Sequence, residues 1–163
     1  MRVGTGTMRV VRRAGVPGVL ALGLLLSGCA GIVPMEPAID ANNPLCAEVS
    51  VRLGDVAGLA KRETNAQATA AWGDPASILL TCGLEPPAPT TLPCISVNGI
   101  DWIMDDSQMP LYIFTTFGRT PAVQVALNSD VVSGSTVLVD VAMPVSSIPQ
   151  NRPCLSLSDS LTF

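Results

Sequence analysis

The chain has 163 residues, nine Lys or Arg against 13 Asp or Glu, no histidine, and a net charge of −4. Without histidine there is no Ser-His-Asp or Cys-His nucleophilic machinery and no histidine proton shuttle, and most zinc chemistry is removed as well. The basic residues are also unevenly placed. Residues 1–28 carry Arg2, Arg9, Arg12 and Arg13, and the rest of the chain keeps five basic residues against all 13 acidic ones, a net charge of −8. A domain so charged is repelled by phosphate backbones, which excludes nucleic acid as a partner.

The first element is an export signal. A basic stretch with no acidic residue precedes the apolar run Val16–Leu26, which is followed by Ser27-Gly28-Cys29. That run is too short for a hydrocarbon core, which takes about 20 helical residues, and so it reads as a signal sequence. Met1 or Met8 serves equally well as its start. Leu26-Ser27-Gly28-Cys29 has the form of a lipobox: small residues admit the peptidase, and the Cys29 thiol alone can take a thioether-linked diacylglyceryl group. The expected organisation is a signal peptide over 1–28, a flexible tether over 29–44, and one extracytoplasmic domain over 45–163. The membrane is then a partner through the N-terminal lipid, with palmitate-type acyl chains as the anchor.

Of the five cysteines, Cys29 goes to lipid and Cys46, Cys82, Cys94 and Cys154 remain as an even set in an oxidising compartment. Four cysteines allow three connectivities. The preferred one joins Cys82 to Cys94 across a short proline-rich loop and Cys46 to Cys154 across the whole domain. No C-x-x-C pair occurs, so neither a metal nor another cofactor is expected.

Along the domain, Val49 and Val51 alternate with polar neighbours as a first short strand would. Asp55 then caps a helical turn whose Val56, Leu59 and Ala60 share a face. Residues 66–71 suit helix or strand. Trp72-Gly73-Asp74-Pro75 before Ile78-Leu79-Leu80 favours a hairpin that buries Trp72. A second hairpin turns at Asn98-Gly99, the strongest short-range signal of this kind, and places Ile100, Trp102 and Met104 on one face. A third turns at Gly118-Arg119-Thr120-Pro121 and aligns Val123, Val125 and Leu127. Residues 133–142 form a strand or a short buried helix that Met143-Pro144 ends, with Pro144 opening a last helix. The fold class is α+β: a single disulfide-stapled domain, mainly antiparallel sheet built from hairpins, with one or two short helices.

Three features offer chemistry. Asp101, Asp105 and Asp106 form the one carboxylate cluster; a strand leaving the sheet into a polar loop explains them more simply than a cation site or an acid pair. Arg119 stands alone at a hairpin tip, free to clamp an anionic group or to pair within its own domain. Trp72 and Trp102 read as core residues or as an aromatic platform. Arg119, Trp72 and Trp102 are the candidate binding surface, and no catalytic residue is assigned.

Ala70-Ala71-Trp72-Gly73-Asp74-Pro75, Leu80-Thr81-Cys82-Gly83, Val97-Asn98-Gly99-Ile100-Asp101-Trp102 and Phe117-Gly118-Arg119-Thr120-Pro121, in that order, resemble domain-of-unknown-function family 3515 over roughly Leu45 to Cys154. The resemblance implies a small secreted or membrane-anchored envelope protein of high-GC Gram-positive bacteria without an assigned activity, so it transfers location and not chemistry. The expected role is a non-enzymatic module, held on the outer face of the plasma membrane, that binds or supports an envelope protein or wall polymer. A small-ligand binding lipoprotein and a carboxylate-based envelope hydrolase are the alternatives.

Overall fold

The computed structural model describes residues 31–154, together with Met1 and Gly4. The rest of the expected signal sequence, Cys29 and the last nine residues lie outside them. Seven antiparallel strands form one sheet: β1 (Lys61–Arg62), β2 (Thr69–Trp72), β3 (Ile78–Leu84), β4 (Cys94–Val97), β5 (Ile100–Gln108), β6 (Leu111–Thr116) and β7 (Ala122–Asn128). Their spatial order is β1-β2-β3-β7-β6-β5-β4. Helices α1 (Pro44–Arg52) and α2 (Gly134–Val145) pack on one face. The α+β class and the antiparallel sheet are as expected, and so are the three hairpins.

Alternation along each strand separates two faces. Trp72, Ile78, Leu80, Ile100, Trp102, Phe114, Val123, Val125 and Leu127 point toward the helices and are buried. The helices answer with Cys46 and Val49 from α1, and with Val137, Leu138, Val141, Ala142 and Val145 at helical spacing from α2. The opposite face carries Thr69, Thr81, Gln124, Thr115 and Ile103 in one row across the strands.

Several expectations are corrected. Val49 and Val51 belong to a helix, because Asn43 accepts the Leu45 amide hydrogen at 3.0 Å and Pro44 occupies the first helical position. The turn expected to be helical after Asp55 is a tight reversal: Ala57 and Gly58 have φ of +52° and +73°, and Val56 and Leu59 exchange backbone hydrogen bonds. Of the two alternatives for 133–142 the helix is the one formed, from Gly134, but Pro144 neither ends it nor opens another: α2 continues through it. In the last turn proline sacrifices one hydrogen bond, to the carbonyl of Asp140, and Ser146 still reaches the carbonyl of Ala142 at 2.9 Å.

The described part of the expected tether is docked on the domain. The Val33 amide donates to the Glu63 carbonyl (2.9 Å), that of Met35 to Asn65 Oδ1 (2.7 Å), and that of Asp40 to the Gly83 carbonyl (3.0 Å). Ala41 is buried. These bonds satisfy backbone that a free linker would leave to water.

The disulfides also differ. Cys46 is bonded to Cys82 and Cys94 to Cys154. Cys82 lies on β3, facing the helices, whereas Cys94 lies on β4 at the far edge and pairs with Ile103 on the opposite face. Four inter-strand steps of about 4.8 Å put these two cysteines roughly 19 Å apart, well beyond the reach of a disulfide.

Candidate functional site

The connection from β3 to β4 positions the site. It must leave the middle of the sheet at Leu84 and reach the far edge at Cys94, so it passes over β7, β6 and β5. Since α1 and α2 occupy one face, the Glu85–Pro93 segment crosses the other. Pro86, Pro87, Pro89 and Pro93 fix φ along this segment and carry no amide hydrogen, which suits a chain that crosses a sheet without pairing with it.

Between the crossover and the sheet lie two adjoining hollows of about 340 and 360 Å³. Pro87, Pro89, Thr90 and Leu92 form the roof of both. Ile103, Ile113, Thr115 and Gln124 form much of the floor, and Gln124 Nε2 donates to Thr115 Oγ1 at 3.2 Å. The two ends carry opposite charge. At one end stands Asp105, whose carboxylate accepts the Ser107 amide hydrogen at 2.9 Å. That bond, and a second from the Ser107 side chain, hold its pKa below the ordinary carboxylate range. At the other end the Arg152 guanidinium lies over the Phe117 ring, 5.7 Å from its centroid, beside the Cys94–Cys154 disulfide.

Arg152 is held by a strap formed by residues 146–154. Asp101 Oδ2 accepts from Gln150 Nε2 and from the Cys154 amide, each at 2.7 Å. The Asn151 amide donates to the Gly118 carbonyl at 2.6 Å, and a β-carbon on Gly118, whose φ is +69°, would collide with the carbonyl of Arg152. Arg119 completes the strap from below by donating to the carbonyl of Ile148, to Gly99 O and to Gln150 Oε1.

The residues expected to form a binding surface are therefore inside the protein. Trp72 and Trp102 are fully buried, and Trp72 Nε1 donates to the Gly54 carbonyl at 2.9 Å. Arg119 is 5% exposed and works as an internal clamp. Burial lowers its pKa, and the neighbouring Asp101 charge opposes that shift. Asp101, Asp105 and Asp106 are not brought together. Asp101 is buried under the strap, Asp105 lies four residues (about 13 Å) further along the strand, and Asp106 is exposed where the β5–β6 register shifts. Sequence reasoning missed Arg152, Phe117, Leu92 and Ile113. The prolines between Cys82 and Cys94 were the available signal, but nothing local said that they span a sheet.

Among the described residues, no cluster of three His, Cys, Asp or Glu gathers in metal-binding geometry, and no helix is long and apolar enough to cross a membrane. Residues 18–154 match the family described as "Protein of unknown function (DUF3515)". Neither a curated protein nor a solved structure matches the chain.

Proposed function

The chain belongs to the DUF3515 family, and from that premise we propose that it is a lipid-anchored, non-enzymatic binding module of the cell envelope, which takes a short extended segment of a partner into the cleft beneath its proline-rich crossover. The observation that carries this reading is the cleft itself: a largely proline and aliphatic lining with Thr90, Thr115 and Gln124 set into it, a carboxylate at one end and a guanidinium at the other. Its size is at the lower end of small-ligand sites, which run about 300–1,000 Å³, and suits two or three residues of a peptide or its equivalent in a wall polymer. The prolines give the roof a fixed shape before any partner arrives, so less ordering entropy is lost on binding. The two disulfides support an extracytoplasmic address, and Leu26-Ser27-Gly28-Cys29 supports the anchor.

A hydrolase reading has less support. A hydrolase working through a carboxylate pair needs two carboxyl groups facing one substrate, and Asp101 is already occupied by Gln150 and the Cys154 amide.

Photo-crosslinking from native membranes tests the proposal. A crosslinker at Thr90, in the roof, should trap a partner that one at Met143, on the exposed side of α2, does not. Ile113→Lys should abolish the Thr90 product by filling and charging the floor. Equal trapping from Met143, or trapping from Thr90 that survives Ile113→Lys, would place the surface elsewhere. Turnover of a wall-derived substrate by the purified full chain, lost in Asp105→Asn, would overturn the non-enzyme reading.

A further inference from the structure

We propose that the end of the sheet formed by the 73–77, 109–110 and 129–132 turns rests against the bilayer, with Ile32, Met109, Leu111 and Val131 as its lipid-facing side chains. The inference depends on the lipid-anchored reading of Cys29 and adds an orientation to it.

The strand register places these turns together. Ile78 pairs with Leu127 and with Trp72, so the β2–β3 turn lies beside the end of β7. Leu111 pairs with Asn128 and with Gln108, so the β5–β6 turn lies there too. Lys61 pairs with Trp72, which puts the start of β1 at the same end.

The N-terminal segment enters the domain there. Arg62 Nη1 donates to the Gly73 carbonyl (2.9 Å) and to Asp74 Oδ1 (3.2 Å), while Arg62 Nη2 donates to the Gly31 carbonyl at 2.7 Å. Val33 then bridges Thr64 in parallel, so the chain runs from this end toward the other. Gly31 is two residues from Cys29, and two extended residues span about 7 Å. With the segment after Gly31 docked, a lipid on Cys29 has no slack to hold the domain away from the membrane.

The surface at this end fits that position. Ile32 is 65% exposed, Met109 68%, Val131 61% and Leu111 37%, so four large apolar side chains are bared at this end. Asp74, Asp106 and Asp130 are exposed among them, and Lys61 donates its ammonium to the Ser50 carbonyl. This end therefore meets lipid through apolar side chains and not through attraction to anionic headgroups.

The test uses the full-length, acylated chain reconstituted in vesicles of phosphatidylcholine brominated on its acyl chains. Trp72 and Trp102 are fully buried and supply a constant background. Tryptophan introduced as Met109→Trp or Val131→Trp should lose emission to the bromines and shift to the blue. Gln67→Trp, exposed in the loop at the opposite end, should show neither change. Replacing part of the lipid with phosphatidylglycerol brominated to the same extent should reduce the quenching at Met109→Trp. Quenching of Gln67→Trp in place of the two others, or of all three alike, would overturn the orientation. Fatty-acid labelling of the same preparation separates the premise: an unlabelled chain removes the anchor and the orientation with it, whereas a labelled chain with unquenched Met109→Trp and Val131→Trp removes the orientation alone.

Discussion

Arg119 and Asp101 meet through the Gln150 side chain, whose Oε1 accepts from Arg119 Nη2 at 3.4 Å and whose Nε2 donates to Asp101 Oδ2 at 2.7 Å. One glutamine thus joins a buried cation to a buried anion and fastens the strap to the sheet between them. Arg119 also donates to the carbonyl of Ile148, so the strap is gripped at two points. The strap in turn sets Arg152 over Phe117 at the mouth of the cleft.

Arg119→Ala should therefore destabilise the domain by about 2–3 kcal/mol, the usual effect of losing a buried hydrogen-bonded charge. A urea titration reads this as a lower midpoint with an unchanged slope. Arg119→Lys should recover only part of the loss, because one ammonium cannot reproduce the planar fork that reaches Ile148, Gly99 and Gln150. A change below about 0.5 kcal/mol, the scale of an ordinary surface substitution, would mean that the strap is held by other contacts.

Peptide mapping without reductant should recover Cys46 joined to Cys82 and Cys94 joined to Cys154. The two bridges should also differ in lability. Cys46 and Cys82 are wholly buried, whereas Cys94 and Cys154 are half-buried beside the cleft. A thiolate has to reach sulfur to attack it, so mild dithiothreitol followed by timed alkylation should label Cys94 and Cys154 first. Simultaneous labelling of all four would show that reduction requires global unfolding.

The Asp105 carboxyl should titrate below the ordinary carboxylate range in a carbon-detected NMR titration. Its folded-state pKa is depressed, so whatever it adds to stability is present above the unfolded-state pKa and fades as pH falls through the lower folded value. Asp105→Asn should accordingly change the acid limb of the stability profile and leave the neutral region flat. The cleft keeps its negative end to the same low pH, so a cationic group bound there should be released only in that acid range. An Asp105 titration at or above the ordinary value would contradict the Ser107 hydrogen bonds.

Replacing Pro87 and Pro89 together by glycine should cost about 1–2 kcal/mol, mainly by widening the unfolded ensemble. Partner trapping from Thr90 should fall by more than that loss of stability explains, since a roof that must be ordered on binding weakens affinity. Trapping that tracks stability alone would show that the rigidity of the crossover serves folding only.

Much of the sheet was legible because its signals are local. Asn98-Gly99, Gly73-Asp74-Pro75 and Gly118-Arg119-Thr120-Pro121 each fix a turn within a few residues, and the alternating apolar positions on either side follow. The first helix was also marked, by Asn43 and Pro44, but the alternation of Val49 and Val51 imitates a strand when only two apolar positions are compared. The order of the strands was not legible. It depends on β3 pairing with β7 across roughly forty intervening residues, and from that pairing follow the crossover, the cleft and the cysteine partners. Arg119 was misplaced for the same reason: the groups that bury it, Ile148 and Gln150, come from a distant part of the chain.

The crossover divides the described chain at a point that neither disulfide spans. Cys46–Cys82 closes entirely before Glu85, and Cys94–Cys154 entirely after it. The molecule is thus two separately cross-linked halves, joined across the β3–β7 ladder, where α1 also meets α2. Connectivity in simple chain order has a kinetic consequence for a polypeptide delivered N-terminus first. When Cys82 arrives, its native partner is the other cysteine already available within the domain, and when Cys154 arrives only Cys94 is left. Correct oxidation then needs no breaking of an earlier bond, and maturation can keep pace with delivery without a step that reshuffles thiols.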